Sequence, residues 1–77
     1  MNVTDVTDDA IRVELSPDEA VLINNALNEM CNGGHIDARD FRTRLGADRS
    51  LARAVLADLH DAIEGMKQQR LAQGKPW

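Results

Sequence analysis

The chain has 77 residues, a net charge of −4 and one cysteine, Cys31. That length admits one domain with a thin core and excludes an intrachain disulfide, so regular helices or a partner chain must supply what the core lacks. No apolar run is long enough to cross a bilayer, and the first ten residues carry neither a basic start nor an apolar stretch, so the sequence reads as a cytoplasmic protein without a signal peptide.

Residues 1–9 form an acidic start, either mobile or the first arm of a hairpin. Ile11, Val13 and Leu15 then alternate with Arg12 and Glu14, the period-two pattern of a half-buried strand. A lone strand cannot satisfy its own backbone groups. Its mate is Asn2–Val6 turned back through Thr7, Asp8 and Asp9, the same strand of a second copy, or a strand of another protein.

Ser16-Pro17-Asp18-Glu19 is a helix start. Ser16 and Glu19 have the spacing of a reciprocal capping box, and Pro17 sits where its missing N–H costs nothing. The helix is expected over 17–31, ending at Gly33-Gly34 through a left-handed residue. Asp37 caps a short second helix over 38–45, with Ile36 and Phe41 spaced as a hydrophobic staple and Gly46 as the stop. Asp48 caps a third helix over 49–66, whose Leu51, Val55, Leu59, Ala62, Ile63 and Met66 fall on one side. Residues 67–77 are expected to fray, with Trp77 at a free end or as an anchoring aromatic. The fold class is mainly α: a single three-helix domain over 10–66 behind a short N-terminal strand or hairpin. Its core is expected to draw on Val13, Leu15, Ile23, Leu27, Met30, Phe41, Leu45 and the third-helix stripe.

The sequence offers no reaction centre. It has no Gly-rich phosphate loop, no tyrosine and no nucleophile beside a base. Cys31 and His35 are four apart, but Gly33-Gly34 interrupts the helix between them and no further ligand is evident, so neither metal nor cofactor is expected. Asp58, Asp61 and Glu64 beside His60 read as a solvated ridge, because an exposed face offers no environment to separate their pKa values.

Three features could carry binding instead. Residues 1–32 hold seven acids against Arg12 alone, which favours basic surfaces. On the first helix, Val21 and Leu22 lie beside Asp18, Asn25, Asn28, Glu29 and Asn32, and apolar atoms flanked by amides suit a protein contact. The alternative use of Val21 and Leu22 is packing beneath the N-terminal strand. Third, FRTRLGADRSLARAVLADL (41–59) resembles the helix-turn-helix of many bacterial regulators, with its Leu-Gly-x-x-Arg pattern. That resemblance implies that Arg49 and Arg53 read DNA in a major groove. It departs from the family at Arg42, where a small residue is wanted four before the Gly, and in the acidic balance of the chain.

A broader likeness covers most of 13–66. LSPDEAVLINNALNEMCNG (15–33), then IDARDFRTRLG (36–46), then a closing amphipathic helix, resembles the layout of small bacterial immunity proteins encoded beside polymorphic toxins. The resemblance implies a non-catalytic inhibitor that binds a toxin domain over a basic cleft. The two other readings are a helix-turn-helix DNA-binding regulator and a structural homodimer joined through the N-terminal strand.

Overall fold

The computed structural model describes all 77 residues. In chain order the elements are strands β1 (Asn2–Val6) and β2 (Ile11–Glu14) and helices α1 (Pro17–Asn32), α2 (Ala38–Leu45) and α3 (Arg49–Ala72). This is the three-helix domain with an N-terminal hairpin that the pattern predicts.

The mate of β2 is β1, antiparallel, with Val3 opposite Val13 and Val6 opposite Ile11. Thr7 ties the turn: its N–H donates to the Ala10 carbonyl at 2.9 Å, and its hydroxyl accepts from the N–H groups of Asp9 and Ala10. Val3 and Val6 are an odd number of residues apart and would face opposite ways in a regular strand. An irregularity between Val3 and Asp5 shifts the register, so both valines share a face with Ile11 and Val13. Arg12 and Asp5 pair at 2.9 Å.

The first two helices begin as their sequence requires, and the third only in part. Ser16 Oγ accepts from Glu19 N–H while the Glu19 carboxylate accepts from Ser16 N–H, and Asp37 accepts from Asp40 N–H at 2.8 Å. Asp48 stands at the α3 N-cap without a capping hydrogen bond; its carboxylate takes Arg42 at 3.3 Å instead.

The ends differ more from expectation. Gly33 closes α1 in the right-handed region, with φ −90°. Its lack of a side chain serves close approach, since a Cβ there would lie 2.7 Å from the Glu29 carbonyl oxygen. Gly46, at φ 75°, ends α2 in the left-handed conformation. The third helix runs to Ala72 rather than 66, because Lys67 to Ala72 are good helix formers and no breaker precedes Gly74. There Gly74 N–H donates to Leu71 and Lys75 N–H to Arg70, closing the last turn as a Schellman motif. The chain beyond folds back, with Arg70 donating to the Pro76 carbonyl and Lys67 Nζ 5.2 Å from the Trp77 ring centre.

The core lies between α1 and α3 and beneath α2. Phe41 is fully buried against Cys31 and Ala52, with Met30, Ile36 and Leu56 packed around it, while Ala20 and Ile63 are buried nearer the hairpin end. Three of the five buried residues, Ala20, Cys31 and Ala52, are small, and short side chains let two helices pack closely. The expected core is corrected at five positions: Val13, Leu45, Leu51, Val55 and Ala62 are exposed. Leu15, Ile23, Leu27, Met30, Leu59 and Met66 are half-buried. On α3 the covered line is Ala52, Leu56, Leu59, Ile63 and Met66, which shares Leu59, Ile63 and Met66 with the stripe read in the sequence and is turned from it by about 50°. The apolar stripe is wider than one facing helix can cover, and Arg49 sets which edge turns inward. Its guanidinium donates to the Ile36 carbonyl and stacks 4.8 Å from the Phe41 ring centre.

The hairpin has no extensive contact with any helix. It is tied at its base by an ion pair between the Met1 ammonium and Glu19. The molecule measures 45 × 32 × 16 Å with a radius of gyration of 14.7 Å, against about 11.5 Å for a compact chain of this length.

Candidate functional site

The acidic half of the chain is placed on two features, the hairpin and helix α1. Helical spacing puts Asp18, Leu22, Asn25, Glu29 and Asn32 in one row, at intervals of four and three residues. All five are exposed, and Leu22 stands 69% exposed between its polar neighbours. The row therefore exists as a continuous ridge facing away from α3.

The two remaining residues of the expected face flank that row. Val21 is half-buried, turned toward the edge of the helix pair. Asn28 stands on the same flank, where its Oδ1 accepts from Asn32 Nδ2 at 2.9 Å. Packing of Val21 and Leu22 beneath the strand, the alternative use of these side chains, does not occur for Leu22.

The charges on the ridge are uncompensated. The ion pairs of the chain engage Asp5, Glu19, Asp48 and Glu64 among the acids, so Asp18 and Glu29 have no cationic partner. Asp8 and Asp9 at the hairpin tip and Glu14 in β2 are likewise unpaired. Glu19 behaves differently. The Met1 ammonium, followed by the Ser16 N–H and hydroxyl, lowers its pKa from the usual carboxylate range to about 2.

A second feature was not visible in the sequence. An open cleft of about 300 Å³ runs along one side of the α1–α3 pair, lined by Asn24 and Asn28 from α1 and by Arg53, Leu56, Ala57, His60 and Asp61 from α3. Asn24 Oδ1 has no hydrogen-bond partner within the chain. The cleft divides the acidic ridge of α3: Asp61 and His60 line it, Asp58 lies on a different side of the helix, and Glu64 pairs with Lys67 at 3.4 Å. Finding it from sequence would have required knowing which edge of α3 meets α1, and that depends on the anchoring of Arg49.

The arginines expected to read DNA are separated by the same anchoring. Arg49 is half-buried and engaged with Ile36 and Phe41. Arg53 lines the cleft. Arg42, the position where a small residue would let two helices touch, is exposed and paired with Asp48. Cys31 is packed in the core while His35 is exposed on the loop.

Comparison with protein families, curated proteins and solved structures gives no match. No helix is long and apolar enough to cross a membrane.

Proposed function

We propose that this chain is a non-catalytic protein-binding module that neutralises a toxin domain, as an immunity protein does. It docks through the outer row of α1, and the acids of the hairpin add to the charge that draws in a basic partner. The observation that carries the reading is Leu22, an exposed leucine set between the unpaired carboxylates of Asp18 and Glu29 and the amides of Asn25 and Asn32.

Each part of that row has a physical use in a protein contact. Leu22 supplies apolar area whose burial excludes water from the centre of the contact. The amides offer donors and acceptors without the desolvation cost of a charge. The carboxylates attract a basic cleft at long range and so raise the rate of encounter. Helix α1 holds the row rigidly, being capped at its start and packed along its inner side.

The DNA-reading alternative has less support, since Arg49 is engaged in the core and the chain carries more acid than base.

The test is binding and protection against a toxin domain encoded beside the gene for this chain. Wild-type protein is expected to form a stable complex and to protect cells producing the toxin. Exchange of Asp18 and Glu29 for lysine is expected to slow association at least about tenfold at low salt, with less effect at high salt. A double variant that associates and protects as wild type does would place the contact elsewhere.

A further inference from the structure

The hairpin is incomplete as it stands. A two-stranded sheet is at best marginally stable in water unless more strands or a helix cover its apolar face. Here Val3, Val6, Ile11 and Val13 share one face and all are exposed, Ile11 by 70%. The outer edge of β2 is also open, since the sheet has only two strands.

We propose that β2 pairs antiparallel with β2 of a second copy of this chain, about a twofold axis at Val13, giving a four-stranded sheet that joins a homodimer. The sequence of the strand fits itself in this register and in no neighbouring one. With Val13 opposite Val13, Arg12 of each copy faces Glu14 of the other, and Ile11 faces Leu15. Centring on Arg12 would oppose two guanidinium groups. Centring between Arg12 and Val13 would oppose Ile11 to Glu14 and turn the apolar faces of the two hairpins to opposite sides.

The backbone fits the same register. Thr7 N–H donates to the Ala10 carbonyl, which makes that a hydrogen-bonded pair. Alternation along an antiparallel ladder then directs the groups of Arg12 and Glu14 toward β1 and leaves those of Ile11 and Val13 on the outer edge. Those free groups are the ones that exchange across an axis at Val13.

The surface of the chain is large enough to need such a partner. A folded monomer of 8.5 kDa is expected to expose roughly 4,650 Å², whereas this chain exposes 5947 Å². The excess of about 1,300 Å² lies within the roughly 1,000–2,500 Å² that each subunit of a homodimer buries. The pairing uses no residue of the outer row of α1, so the inference does not rest on the proposed function.

The experiment is a measurement of molecular mass by sedimentation equilibrium across the micromolar range, on wild type and on charge variants. Wild type is expected at twice the chain mass. Glu14→Arg faces Arg12 with arginine at both symmetric positions, and like charges directly opposite destabilise a sheet, so its dimer dissociation constant is expected to rise about tenfold. Arg12→Glu combined with Asp5→Asn is expected to weaken self-association similarly. An equimolar mixture of the two variants restores complementary pairs and is expected to dimerise as wild type does. Separately, Val13→Cys is expected to form an intermolecular disulfide on mild oxidation, because paired residues lie at bridging distance. A wild-type monomer at all concentrations overturns the proposal. So does a dimer that neither responds to the charge variants nor crosslinks at position 13.

Discussion

Two residues hold the domain together in ways that can be measured singly. Phe41 is the one large side chain fully enclosed, and it carries both the staple with Ile36 and the stacking of Arg49. Phe41→Ala removes that filling and leaves a cavity, at a cost of about 3–5 kcal/mol. For a core this thin that is most of the folding stability, so the variant is expected to lose its cooperative thermal transition by circular dichroism.

Glu19 acts at the junction of hairpin and helix. Its folded pKa is about 2, below its unfolded value. The stability it contributes is therefore fully present above the unfolded carboxylate range and is lost as pH falls from about 4.5 toward 2. Glu19→Gln is expected to be less stable than wild type at neutral pH, and the difference in melting temperature is expected to shrink as the pH is lowered through that window.

At the scale of the element, what was legible in the sequence is what local chemistry decides. Ser16, Asp37 and the glycine at 46 mark helix boundaries because caps and left-handed stops act within a few residues. The turn through Thr7, Asp8 and Asp9 was one of three ways the sequence offered to pair the strand, and the bonds of Thr7 with Asp9 and Ala10 form it. What was not legible is the rotation of each helix about its own axis. The apolar residues of α3 span a sector wide enough to admit two faces. Contacts from distant elements choose between them: Arg49 on Ile36 and Phe41, and the packing of the small, buried Ala20, Cys31 and Ala52. Leu51 and Val55 thus belong to the sequence stripe and yet stay exposed, and the cleft opposite them could not be foreseen. Of the face expected on α1, Asp18, Leu22, Asn25, Glu29 and Asn32 form one exposed row, while Val21 and Asn28 stand on its flank.

That rotation makes a sharp prediction. Exposed side chains away from caps and cores usually change stability by no more than about 0.5 kcal/mol when substituted. Leu51→Gln with Val55→Gln is expected to leave the urea midpoint nearly unchanged. The stripe read from sequence instead predicts a loss of several kcal/mol, as for buried aliphatic residues.

At the scale of the whole molecule, the chain is an extended body 45 Å long, and its hairpin and α1 carry seven acids against Arg12 alone. The bases on α2 and α3 are distributed differently. Arg42 and Arg49 are engaged internally, and Arg53 faces the cleft. The thin core is consistent with a protein whose stability rises when a partner binds the folded form.

The most direct test of this division is a footprint. Nitrogen-15-labelled protein titrated with the toxin domain encoded beside it is expected to show its largest amide shift changes at Asp18, Leu22, Asn25, Glu29 and Asn32. Changes confined to Arg39, Arg44, Arg53 and the cleft, with the outer row of α1 unmoved, would contradict the account.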